Sequence, residues 1–314
     1  MIRVPLILFS CTLVALLALF LLQTPTQAAV PGSPSATSVR FAVIGDYGLA
    51  GPAELDVANV VKSWNPDFII TVGDNNYQLG AQTTIDANIG QYYSAYIYPY
   101  TGTYGTSSAP NRFFPTLGNH DWYTSGATPY RNYFTLPNNE RYYDFVRGPV
   151  HFFALDSDSN EPDGRTSLST QASWLRYKML TACEQYKIVY LHHAPYSSAK
   201  HGSNTTLQWN YASWGATAVL AGHDHTYERI IQNGIPYFVN GLGGADIYTF
   251  TTPIAGSVVR YDDDWGAMRV DADDASITFS FINRSGTLID TQTISATAIT
   301  CISPIPIFLP FTQK

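Results

Sequence analysis

One local pattern recurs along the chain: a short, dense apolar run that stops abruptly at a polar or glycine-containing step. Residues 41–44 stop at Gly45-Asp46, 68–72 at Gly73-Asp74-Asn75-Asn76-Tyr77, and 113–117 at Gly118-Asn119-His120-Asp121. Residues 150–155 stop at Asp156-Ser157, 187–191 at His192-His193-Ala194-Pro195, 218–221 at Gly222-His223-Asp224-His225, and 237–240 at Gly241. Apolar runs this short read as buried strands. Between the first two, residues 52–64 place Leu55, Val57, Ala58, Val60, Val61 and Trp64 on one helical face, with Pro52 suited to a first turn. Strand, helix, strand predicts a parallel pair joined by a right-handed crossover. Further helices are expected near 86–98 and over 169–182, and the alternation in 268–272 and Ser276–Asn283 predicts antiparallel strands. No internal repeat or linker divides the body, which reads as one domain.

Open α/β sheets gather their ligands at strand carboxyl ends. Asp46, Asp74, Asn119, His193, His223 and His225 sit at such exits and can share one pocket. His223 and His225, two apart in an extended segment, point the same way. These oxygen and nitrogen donors suit a pair of hard-to-borderline metal ions with one carboxylate between them. No cysteine is among them, which argues against a structural zinc site. Taken singly, each residue has a plainer reading. Asp46 and Asn119 would be turn residues, His120 unremarkable, one of His192 and His193 a core ring, and Tyr77 a packing residue among 22 tyrosines. Their joint occurrence at successive strand exits is what argues for a metal centre.

The formal net charge is −7, so the chain has no electrostatic footprint for nucleic acid or an anionic membrane surface. Any affinity for phosphate must be local, and metal ions are one way to create it. Residues 1–29 contain Arg3, an apolar run over 4–22 and a small-residue stretch ending at Ala28-Ala29. They read as a secretory signal, with an uncleaved anchor as the rival. Residues 30–39 form a loose leader, 40–298 the single folded domain and 299–314 a tail too proline-broken to span a membrane. In an exported chain Cys183 and Cys301 either pair or remain separate thiols. The sequons at Asn204 and Asn283 matter only in a host that glycosylates.

Gly45-Asp46, Gly73-Asp74-Asn75-Asn76-Tyr77, Gly118-Asn119-His120-Asp121, His193-Ala194-Pro195 and Gly222-His223-Asp224-His225 resemble the five motif blocks of calcineurin-like metallophosphoesterases. Tyr77, three residues after the second aspartate, and Tyr227-Glu228-Arg229 are similar to the purple acid phosphatase branch. The resemblance implies an α/β (α+β) fold: a four-layer αββα sandwich of two mixed β-sheets flanked by helices. It implies that Asp46, Tyr77 and His225 bind Fe(III), that Asn119, His193 and His223 bind a divalent Fe, Zn or Mn, and that Asp74 bridges. For the fourth block, Val189 selects His192 through a Val-x-x-His form, whereas Pro195 selects His193 through His-x-Pro. The proline fixes the turn directly after the ligand, so His193 is preferred. With about ten residues between signal and first strand, the chain looks like the short form, similar to tartrate-resistant acid phosphatases.

The implied activity is that of a secreted acid phosphatase acting on small phosphate monoesters, with hydroxide presented in line by the two metals. His120 is the expected proton donor to the leaving group, Asp121 is expected to raise its pKa, and His201 is a second candidate. The alternatives are a phosphodiesterase or nucleotide pyrophosphatase of the same superfamily, and a non-enzymatic metal-stabilised binding module. No nucleic acid and no stable membrane partner after signal cleavage are expected.

Overall fold

The computed structural model describes residues 38–298. The signal segment, most of the leader, the tail and any pairing of Cys301 with the exposed Cys183 lie outside the described residues. Thirteen strands follow one another along the described chain. They are β1 (Val39–Ile44), β2 (Phe68–Thr71), β3 (Phe113–Pro115), β4 (Tyr143–Arg147), β5 (Val150–Ala154), β6 (Tyr186–Tyr190) and β7 (Ala218–Ala221). The chain continues through β8 (Tyr227–Gln232), β9 (Ile235–Asn240), β10 (Ser257–Tyr261), β11 (Gly266–Ala272), β12 (Ser276–Asn283) and β13 (Leu288–Ser295).

They form a six-stranded sheet in the order β13-β12-β11-β1-β2-β3 and a seven-stranded sheet in the order β10-β8-β9-β7-β6-β5-β4. Both are mixed. β1, β2 and β3 are parallel, as are β5, β6, β7 and β9, and the flanking strands run antiparallel. The two sheets meet across an aromatic seam. Phe152 of β5 stands edge-on to Phe41 of β1 at 4.9 Å and to Phe68 of β2 at 5.3 Å, and stacks on Phe145 of β4 at 4.9 Å. Offset and edge-to-face contacts of this kind are the favoured aromatic geometries. Helix Pro52–Ser63 packs Val57, Ala58 and Val61 into the core that contains the first sheet. Helix Thr170–Thr181 lays Ala172, Leu175 and Met179 against Phe153, Val189 and Val219 on the other face of the second. This is the expected αββα layering. Among the described residues no helix is long and apolar enough to cross a membrane.

The parallel strands stand where the apolar runs put them, but most stop a residue or more early, because Val72, Leu117, Leu155 and Leu191 already belong to the exits. The helix expected near 86–98 breaks into Asp86–Gly90, Gln91–Tyr93 and Ser94–Tyr96. Strands β4, β10 and β13 have no counterpart in the sequence reading, since half-exposed strands carry no dense apolar run. β8 was hidden differently: its Tyr227-Glu228-Arg229 reads as part of a motif, whereas the structure makes it a clasp. Arg229 donates through Nε and Nη2 to both oxygens of Asp290 on β13, at 2.7 and 3.1 Å, and so ties the second sheet to the first.

Candidate metal centre

The carboxyl ends of the parallel strands of both sheets meet at one edge, and six of the seven histidines gather there. The backbone bends sharply as it leaves each strand. Asp46, Asp74 and His223 all lie in the left-handed region, with φ of 55°, 52° and 71°. Non-glycine residues seldom adopt it, and such strain concentrates at functional sites. The glycines preceding two of the donors answer a different need. A Cβ at Gly222 would collide with Asp46 Oδ2, and one at Gly118 with Asp74 Oδ1, so strand exits from different motifs close on each other only because these side chains are missing.

The donors fall into two halves. In one, the Tyr77 hydroxyl lies 3.4 Å from Asp46 Oδ1 and 3.1 Å from His225 Nε2. In the other, His192 Nε2 lies 3.0 Å from Asn119 Oδ1 and 3.1 Å from His223 Nδ1. Asp74 touches both, its Oδ2 being 3.0 Å from the Tyr77 hydroxyl and 3.4 Å from His192 Nε2. Backbone carbonyls orient two of the imidazoles. His192 donates from Nδ1 to the Val72 carbonyl (2.9 Å) and His225 from Nδ1 to the Asp246 carbonyl (2.5 Å), which leaves each Nε2 lone pair facing inward. His223 and His225 therefore face different halves.

The expected donor set needs one correction. The structure brings His192, rather than His193, into the cluster. Tyr190 belongs to the core between the sheets, whereas Val189 and Leu191 pack on the outer face. Alternation along the strand then carries His192 inward with Tyr190 among the donors and turns His193 toward Ser157, on the wall of the cavity beside them. The turn at Pro195 does not override that alternation. His193 instead places Nδ1 2.9 Å from the Ser157 hydroxyl.

The electrostatics are those of a site built for cations. Burial opposes charge on Asp74, yet His192 and His120 outweigh it and hold its carboxyl below the usual range. Burial alone would lower His192, but Asp74, with Asp46 behind it, raises it to about 10. Burial and the neighbouring His192 and His193 push His223 well below its ordinary value. Burial, followed by Asp74 and Asp46, drives the Tyr77 phenol well above its own, so a tyrosinate here requires a cation. Ligand atoms of Asp46, Asp74 and His192 lie within 4.8 Å of one another, and all three residues are buried. Clustered, buried, oxygen- and nitrogen-donating groups fit a bound metal pair.

A cavity of about 450 Å³ opens beside them, lined by Asp74, His120, His201, His223 and Tyr248 among others. His120 donates from Nδ1 to the Gln78 carbonyl (2.7 Å) and keeps Nε2 toward the centre, 3.9 Å from Asp74 Oδ2. His201 stacks on His223 at 4.2 Å, and its backbone N–H donates to Asp224 Oδ1 (2.7 Å). Asp121 departs from expectation. Its Oδ2 accepts from the Gly118 N–H (2.9 Å) and Asn75 Nδ2 (2.8 Å), so it braces the β3 exit rather than the His120 ring. Burial, and then Asp74, raise it to about 7.

Several contributors escaped the sequence reading. Asp224, inside the histidine motif, accepts from Ser197 Oγ (2.5 Å) as well as His201, and Glu228 accepts from the Ser198 N–H (2.8 Å). Together they hold the loop that carries His201. Tyr248 stacks on His225 at 4.0 Å. Only the Val-x-x-His spacing, which pointed to His192, offered a signal in advance.

Comparison with known proteins agrees with this geometry. A calcineurin-like phosphoesterase family model matches residues 39–227. Tartrate-resistant acid phosphatase type 5 of Rattus norvegicus is 27% identical over 246 residues, 66% of this chain and 73% of that protein. A purple acid phosphatase from yellow lupin (Lupinus luteus) seeds superposes with a TM-score of 0.68 at 18% identity, over 83% of this chain and 54% of that one. This chain therefore spans about half the length of the lupin protein. GAP50, the anchor in the inner membrane complex of Plasmodium, gives a TM-score of 0.63 at 19% identity, over 83% and 90% of the two chains. At these identities the two structures speak for the fold alone. The family model spans more than half of the chain and includes the strand exits that carry the donors, so the chain belongs to the calcineurin-like phosphoesterase family.

Proposed function

We propose that the protein is an exported acid phosphatase that hydrolyses small phosphate monoesters at a pair of metal ions. The observation that carries this reading is the division of the donors into two halves joined by Asp74, beside a cavity with further histidines on its wall. Asp46, Tyr77 and His225 would hold Fe(III), Asn119, His192 and His223 a divalent Fe, Zn or Mn, and Asp74 would serve both. Such a pair, when bound, supplies Lewis acidity that neutralises phosphate charge and activates water for in-line attack. The chain does the rest. His120, anchored through Nδ1 at Gln78, presents Nε2 to the cavity, where it can give a proton to the leaving oxygen. His201 lines the same cavity, and burial lowers its pKa. That makes it a better hydrogen-bond partner than a proton reservoir. The acid phosphatase relatives support the reaction class, and the signal-like segment supports export.

The test combines metal analysis, a visible spectrum and hydrolysis rates. Two metal equivalents, a charge-transfer band from Tyr77 on Fe(III), and faster turnover of phenyl phosphate than of its bis-ester are expected. Metal-loaded protein that turns over neither ester would sink the proposal, and a preference for the bis-ester would favour a phosphodiesterase. Asp74→Ala should lose both metals and activity together.

A further inference from the structure

His193 is left without a role once His192 joins the donor set, yet its surroundings are too specific for a spare ring. Ser157, at the exit of β5, is fully buried. Its Oγ accepts from the His193 backbone N–H at 2.9 Å and lies 2.9 Å from His193 Nδ1. With that N–H already received, the one hydroxyl hydrogen of Ser157 has Nδ1 as its only hydrogen-bonding acceptor among the described residues. A buried hydroxyl that failed to donate would forfeit its desolvation cost. The hydroxyl therefore donates to Nδ1, and His193 is the tautomer with its proton on Nε2. Among the described residues Nε2 has no hydrogen-bond partner, and the residue lines the cavity beside Asp74, Asn119 and His223.

We propose that His193, held by Ser157 as the Nε2–H tautomer, is a hydrogen-bond donor to the phosphate group bound in this cavity. The inference rests on the phosphatase reading for its ligand. Because Nδ1 accepts from the Ser157 hydroxyl, the ring is neutral and its single donor is fixed on Nε2. A neutral donor beside two cations adds a directed contact without competing for metal. In this respect it differs from His192, one residue earlier.

The experiment measures binding of inorganic phosphate to the metal-loaded protein by calorimetry, together with metal content. His193→Ala should keep two metal equivalents and weaken phosphate roughly 10- to 100-fold, as expected for loss of a hydrogen bond to a charged group. His193→Gln, whose amide can supply an N–H, should recover part of that loss, and Ser157→Ala should fall between it and the wild type. A ¹⁵N spectrum of the histidines in wild-type protein should show His193 protonated at Nε2, a reading that does not depend on any variant folding. Wild-type phosphate affinity in His193→Ala, loss of one metal equivalent, or a proton on Nδ1 would each overturn the proposal. Because the readout is phosphate binding, a wild type that binds phosphate but hydrolyses no ester would overturn the phosphatase reading alone.

Discussion

At the scale of single residues, the proposed function separates groups that would hold metal from groups that would handle the substrate. His120 would belong to the second kind, since its ring is anchored at the Gln78 carbonyl and only its Nε2 faces inward. His120→Ala should leave metal content intact and lower kcat by about 10²- to 10⁴-fold, the usual worth of a positioned proton donor. Steady-state kinetics with metal analysis on one preparation checks this, and full activity in the variant would remove His120 from the mechanism. His192 makes a pH prediction. Without metal its ring stays protonated up to about pH 10 in the folded protein, against about 6.5 when unfolded. This pairing thus stabilises the metal-free fold fully below pH 6.5 and fades as pH rises toward 10. Chelated protein should lose thermal stability across that window. Metal-loaded protein should show a shallower slope, because the ion has displaced the proton. Equal slopes would take His192 out of the donor set.

At the scale of elements, the strand exits position the chemistry. Each donates a polar residue within a few positions of the last ladder hydrogen bond, and the missing Cβ at Gly118 and Gly222 lets neighbouring exits touch. Gly222→Ala should therefore fold with unchanged far-ultraviolet circular dichroism yet bind less metal, because its methyl group would displace Asp46. Undiminished metal content would show that the loop can yield without cost. At this scale the sequence was highly legible for the buried parallel strands, whose dense apolar runs have no other use. It was poorly legible for β4, β10 and β13, which are partly exposed and owe their form to pairing with a neighbour.

At the scale of the whole molecule, the site exists because two sheets are held in register at one edge. Phe152 fills the seam between them and is fully buried. Phe152→Ala should cost about 3–5 kcal/mol by removing contacts and leaving a cavity, read as a lower midpoint in denaturant. A loss below about 1 kcal/mol would mean that the seam can collapse around the gap. Donors from the first sheet (Asp46, Asp74, Asn119) and the second (His192, His223, His225) meet only across this interface.

The sequence by itself determined the buried strands and which polar residues stand at their exits, because burial demands particular residue types at particular places. It preferred His193 to His192 and gave Asp121 a different neighbour from the one it has. The tertiary structure decided those points. Which of two adjacent histidines faces the centre depends on which face of β6 is turned to the opposite sheet, and where the Asp121 carboxylate rests depends on the backbone of Asn75 and Gly118 around it. Composition and spacing encode what a residue can do, and only packing sets the direction in which it points.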